Sequence, residues 1–201
     1  MCVRHGRTEW NASRRFQGHT DVPLDDEGRT QAKALGVLLR DQRIDVAVSS
    51  DLGRAEETAR LVLDRHDVVP KIDPAWRERR FGTWEGLTWE EILAANPHID
   101  RAGANSPPMY APTDGESFDA LCTRIARATE RCIGELDDDG VALIVTHAGP
   151  LYALLRVLLG EAESAALYVR FANGSVTRFR RTGGAWRLVR LNQIPGLKQP
   201  S

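Results

Sequence analysis

The sequence predicts an α/β domain on a mostly parallel sheet. Short β-branched runs alternate with amphipathic stretches along most of the chain, the pattern of strands joined by crossover helices. The run from Val141 to Thr146 is apolar almost without a break, as a parallel strand buried on both faces would be. Polar residues follow directly on such runs at Arg4-His5, Ser49-Ser50 and His147. Open parallel sheets bind ligands at that place, beyond the carboxyl ends of their strands.

Residues 1–3 read as the end of a strand. Asp25 is placed to cap a helix over about 26–41, with Ala32, Leu35, Leu38 and Leu39 on one face. Residues 44–49 form a short strand, 52–64 a helix and 68–72 another strand. The stretch 96–115 is rich in Pro, Gly and Asn; together with the segment before it, 87–115 reads as a substrate-side lid. Ser117 then caps a long helix whose stripe runs Phe118, Leu121, Cys122, Ile125, Ala128, Cys132 and Leu136. The acidic triplet Asp137 to Asp139 before Gly140 reads as a solvated turn. After the strand 141–146, Pro150 opens a helix that ends near Gly160. Runs 167–171, 176–180 and 186–191 are expected strands, with hairpin signals at Asn173-Gly174 and Gly183-Gly184. No linker divides the chain, so residues 1–201 are expected to be one domain.

Composition narrows the function classes. Hydrophobic residues are 42% and charged residues 27%, the balance of a chain with a packed core. Lys and Arg total 27 against 28 Asp and Glu, a balance that argues against a nucleic-acid or membrane-surface partner. No apolar run is long enough to span a bilayer. Met1 leads straight into motif, so no signal peptide is expected. Cys2, Cys122 and Cys132 show no zinc-site spacing and read as reduced thiols of a cytoplasmic protein without a structural metal.

The chemistry lies in one constellation. Arg4 and His5 follow a strand, Arg54 sits in the first turn of a helix and His147 ends a strand. Guanidiniums make bidentate contacts to phosphate oxygens and stay charged. Beside two of them His5 resists protonation, which keeps a ring nitrogen free to attack phosphorus. Phosphoryl transfer asks mainly for positioning and charge neutralisation, which these residues supply without a metal or cofactor. Glu78 is the candidate acid for the leaving oxygen.

The strings that carry this constellation resemble the histidine phosphatase superfamily, the fold family of cofactor-dependent phosphoglycerate mutases. They are Val3-Arg4-His5-Gly6 with Asn11, Phe16-Gln17-Gly18, Ser49-Ser50-Asp51-Leu52-Gly53-Arg54-Ala55, Glu78 before Phe81-Gly82, Gly115-Glu116-Ser117 and Val145-Thr146-His147-Ala148-Gly149. The resemblance implies a three-layer α/β/α sandwich. It implies His5 as a nucleophile forming a phosphohistidine, and Glu78 as proton donor and then acceptor. It also implies Arg4, Asn11, Arg54 and His147 as the phosphate pocket, with Gln17 and Gly18 on the loop beside the substrate. The expected enzyme is a phosphomonoester hydrolase of the histidine acid phosphatase type, acting on a small phosphorylated metabolite: α-ribazole phosphate, a sugar phosphate or a broad set. Phosphoglycerate mutase is the alternative. Phe81-Gly82-Thr83-Trp84-Glu85-Gly86 favours the phosphatase branch, since mutases usually carry a Tyr-Gly version and a longer insertion.

Arg7 stands where the family usually has Glu or Gln, and is expected to add charge at the pocket rim. The first strand is shorter than is usual, which suggests a native start upstream. Glu116 reads equally as a helix N-terminal charge or a catalytic contributor. His19, His66 and His98 are expected on the surface, Trp76, Trp84 and Trp89 in core or lid packing, and Arg178-Phe179-Arg180-Arg181 on an alternating edge strand. A homodimer stays open.

Overall fold

The computed structural model describes residues 1–97, 99, 112–160 and 169–196. One sheet of six strands runs through it, in the order β3-β2-β4-β1-β5-β6. These are β1 (Cys2–Arg4), β2 (Val46–Ser49), β3 (Lys71–Ile72), β4 (Ala142–Thr146), β5 (Val176–Thr182) and β6 (Ala185–Gln193). The first four are parallel; β5 runs antiparallel to β1, and β6 antiparallel to β5.

The alternation of side chains along the strands builds two cores. Val3, Ala47, Leu143 and Val145 face one way, against α2 (Asp26–Leu39) and α3 (Gly53–Val62). Cys2, Val48 and Ile144 face the other way, against α5 (Phe118–Ile133) and α6 (Ala148–Leu159). The result is the three-layer α/β/α sandwich. The helices start where the sequence places caps: Asp25 accepts from Gly28 N at 2.7 Å and Ser117 from Ala120 N at 3.1 Å. For α3 the N-terminal carboxylate comes from a distant loop, Asp21 accepting from Gly53 N at 3.0 Å. All three cysteines are free thiols, and burial pushes Cys132 up to about 11.

Several elements differ from expectation. Residues 9–12 form a short α1 (Glu9–Ala12), and 89–95 form α4 (Trp89–Ala95), capped by Thr88 with Glu91 reaching back. The start of the expected lid is therefore helix, with Ile92 packed beside Trp84 and Ile99. Residues 98 and 100–111 of that lid, His98 among them, lie outside the described residues. Helix α6 begins at Ala148 with His147 as its N-cap, two residues before Pro150. No strand forms at 169–171, and 167–168 lie outside the described residues. The hairpin at Gly183-Gly184 does form, both glycines holding positive φ (59° and 82°) as a two-residue turn requires. The Arg178-Phe179-Arg180-Arg181 run lies one strand in from the edge, with Phe179 and Leu188 paired on the core side. Among the described residues no helix is long and apolar enough to cross a membrane.

Candidate active site

The parallel strands end together, and the expected residues meet there. β1 delivers Arg4 and then His5, whose N–H donates to Thr146 O of the neighbouring β4 at 2.9 Å. β4 delivers His147, and the two imidazole centroids stand 5.0 Å apart. The first turn of α3 delivers Arg54, fully buried. Its Nη2 donates to Gly18 O and its Nη1 to Thr20 O, both at 2.8 Å. The loop 17–20 therefore aims this guanidinium.

His5 Nδ1 lies 2.7 Å from the carbonyl of Gly6. A carbonyl only accepts, so Nδ1 carries the proton and Nε2 keeps its lone pair. Burial, with Arg54 and Arg4 close by, lowers the His5 pKa well below 6.5, so the ring is neutral at physiological pH. His147 is lowered well below 6.5 in the same way, by burial first and then by Arg54 and His5. Its Nε2 lies 2.9 Å from Ser50 Oγ, which already accepts from Leu52 N at 3.3 Å. Ser50 Oγ thus holds one edge of the His147 ring, and Nδ1 on the other edge has no partner among the described residues.

Three buried nitrogens here have no partner among the described residues: Arg4 Nε, Arg54 Nε and His147 Nδ1. Arg4 spends one hydrogen bond on Phe171 O at 2.5 Å. Burial pulls both arginines below their ordinary value, with Glu78 opposing the shift, and both remain cations. An unpaired buried donor costs about 1–3 kcal/mol, so the site is arranged for an anionic acceptor.

Glu78 joins the same cluster. Its Oε1 accepts from Arg79 N at 2.8 Å and from Gly149 N, in the first turn of α6, at 2.9 Å. That occupies one oxygen and leaves Oε2 without a hydrogen-bond partner among the described residues. Asn11 Oδ1 accepts from Thr8 N and Thr8 Oγ1, each at 3.2 Å, which leaves its amide nitrogen without a partner among the described residues. Gln17 is buried with Oε1 unpartnered.

Other expectations change. Glu116 holds Arg124 with both oxygens, at 2.9 and 2.6 Å, so its carboxylate is engaged as a structural ion pair at the start of α5. Arg7 turns to Asp25 at 2.8 Å, which matches its charge beside the N-cap of α2. His19 is half-buried, with Nε2 placed 2.9 Å from Glu78 O. Trp76 and Trp84 are buried, and Trp84 and Trp89 pack around Phe16. Among the described residues no three His, Cys, Asp or Glu side chains form a cluster that could hold a metal.

The profile of the histidine phosphatase superfamily (branch 1) matches residues 1–194. The chain belongs to that superfamily. Among relatives of this histidine phosphatase superfamily member, a protein called phosphoglycerate mutase-like protein 4 from Arabidopsis thaliana is 37% identical over 99% of this chain and 86% of its own length. A mycobacterial glucosyl-3-phosphoglycerate phosphatase superposes with a TM-score of 0.86 at 31% identity, covering 96% of this chain and 97% of its own. A protein described as a putative alpha-ribazole-5'-P phosphatase from Escherichia coli K-12 gives 0.82 at 30% identity, covering 98% of this chain and 97% of its own.

Sequence reasoning missed residues that support this superfamily site. Glu85 anchors the loop 17–20: it accepts from His19 N, Thr20 N, Thr20 Oγ1 and Phe81 N at 2.6 to 3.1 Å. Burial works against its charge, but those hydrogen bonds prevail and hold its carboxyl below the ordinary value. Asn173-Gly174 was expected to turn a hairpin; instead Gly174 N donates to Arg4 O and His5 O at 3.2 and 3.1 Å. Asn-Gly predicts a turn whichever segments flank it, and nothing in the local string marks what it will buttress.

Proposed function

We propose that this protein is a metal-independent phosphomonoester hydrolase that works through a phosphohistidine on His5. One observation carries the reading: a neutral, tautomer-fixed histidine is buried among two guanidiniums and a second histidine with unpaired donors. In the first step the Nε2 lone pair attacks phosphorus and the P–O bond to the leaving group breaks. Arg4, Arg54, Asn11 and His147 hold the equatorial oxygens, where charge must be neutralised. Glu78 Oε2 gives its proton to the departing alkoxide. In the second step water attacks phosphorus, Glu78 takes the proton, and inorganic phosphate leaves His5 free.

Gln17 and Gly18 flank the substrate. The phosphatase neighbours support hydrolysis of a small phosphorylated metabolite, with a phosphoglycerate ester, a ribazole phosphate and sugar phosphates the substrates to try first. The mutase-like name of the Arabidopsis relative supports the second reading, which requires phosphoglycerate isomerisation dependent on a bisphosphoglycerate primer.

The test is p-nitrophenyl phosphate hydrolysis in EDTA, with a base-stable, acid-labile phosphoenzyme trapped by rapid quench. Wild type should turn over and His5→Ala should neither turn over nor trap phosphate. Activity that needs an added divalent cation, or that survives in His5→Ala, refutes the mechanism.

A further inference from the structure

The Asn173-Gly174 turn spends its hydrogen bonds far from its own backbone. Asn173 Nδ2 lies 3.1 Å from His5 O, 3.4 Å from Gly6 O and 3.0 Å from Asn11 Oδ1. Gly6 O is the same carbonyl that receives His5 Nδ1–H. The turn thus grips the backbone on both sides of the nucleophile, and it also touches Asn11.

The effect on Asn11 follows from valence. Its Oδ1 faces Asn173 Nδ2 at 3.0 Å and the nitrogen and hydroxyl of Thr8 at 3.2 Å each. An amide has one accepting end and one donating end. With donors gathered on the oxygen, the nitrogen must point the other way, and it has no partner among the described residues. Turned over, the same side chain would set its N–H groups against Asn173 N–H and offer an oxygen to an anion.

We propose that Asn173 is a positioning residue of this centre: it fixes the Asn11 amide with its nitrogen toward the phosphate and holds the Arg4-His5-Gly6 turn in register. This rests on the reading of Asn11 and His5 given above. An asparagine serving the turn alone would bond to nearby backbone, whereas these partners lie more than 160 residues away in sequence.

The experiment compares wild type with Asn173→Ala, Asn11→Ala, the double alanine variant and Asn173→Asp. Three readouts are taken: inorganic phosphate affinity by calorimetry, kcat/KM on p-nitrophenyl phosphate, and the melting temperature. Each single alanine variant should weaken phosphate affinity and kcat/KM about tenfold, the worth of one good hydrogen bond. The double variant should lose clearly less than the two single losses multiplied, because Asn173 acts in part through the Asn11 amide. Asn173→Asp keeps the shape but turns a donor into an acceptor facing three oxygens, so it should lose more than Asn173→Ala.

Full phosphate affinity in Asn173→Asp, or losses that multiply in the double variant, overturns the proposal. So does a lowered melting temperature in Asn173→Ala with affinity and kcat/KM intact, the mark of a purely structural turn. Phosphate binding is read without turnover, so failure of the hydrolase reading would show separately, as an inactive wild type whose affinity still responds to Asn173.

Discussion

Gly18→Ala should damage both stability and phosphate handling. Gly18 holds φ at 53°, in the left-handed region, and an added Cβ would lie 2.1 Å from Glu85 Oε1 and 2.5 Å from its Cδ. The left-handed conformation costs a non-glycine residue about 1–2 kcal/mol. Glu85 cannot swing aside freely, because its oxygens hold the amides of His19, Thr20 and Phe81. Moving it loosens at least two charge-assisted hydrogen bonds of about 1.5–3 kcal/mol each. Glu85 is only half-buried, so the low end of each range applies, giving about 4 kcal/mol in all. For a chain of this size that lowers the melting temperature by about 8–16 °C. Gly18 O also receives Arg54 Nη2, so kcat/KM should fall at least about tenfold as that guanidinium loses its seat. Differential scanning fluorimetry and p-nitrophenyl phosphate kinetics would measure the two effects. A variant that melts within about 2 °C of wild type with unchanged kcat/KM would refute the idea that Glu85 and Gly18 lock this loop.

Two further outcomes follow from the site. His5 and His147 are held well below 6.5 when folded, so unfolding takes up protons below that pH. Stability should fall as pH drops through 6.5 toward the folded values, by up to about 1.4 kcal/mol per pH unit for each histidine. Urea unfolding of wild type and His147→Asn across that range checks it; equal pH slopes for both would contradict it. Glu78→Gln should slow alkyl phosphates far more than p-nitrophenyl phosphate, whose leaving group departs without a proton. Equal loss on both substrates would remove Glu78 from the acid role.

The layers were legible because periodicity is a direct record of burial. Leu143, Ile144 and Val145 face alternate cores, and such a strand must be apolar throughout. The helix caps Asp25 and Ser117 were legible because capping is local chemistry. The chemistry-bearing residues stood out because histidine and arginine at strand ends have few structural uses, and the family resemblance added their roles. Glu85 and Asn173 escaped because their partners are loop amides and carbonyls, which leave no mark in side-chain pattern. Glu116 could not be assigned from the string alone, since its partner Arg124 lies eight residues on, more than two helix turns away, on a face only the fold reveals. The hairpin expected at Asn173-Gly174 failed for a related reason: the turn signal was sound, but residues 169–171 before it form no strand.

The position of β1 also bears on how the molecule is made. It lies between β4 and β5, so the strand that leads into His5 pairs with residues 144–146 and 176–177. The amino group of Met1 itself donates to Ala142 O at 2.8 Å. On the ribosome, this segment must wait for more than 170 further residues before both its neighbours exist. Contacts so distant along the chain slow folding. A growing chain can pair β2 with β3 and assemble α2 on α3, but His5 stays exposed and without its arginine-lined pocket until the last third is released. The pocket around His5 is therefore completed only once β4 and β5 are in place, and chains released before β5 should be catalytically silent.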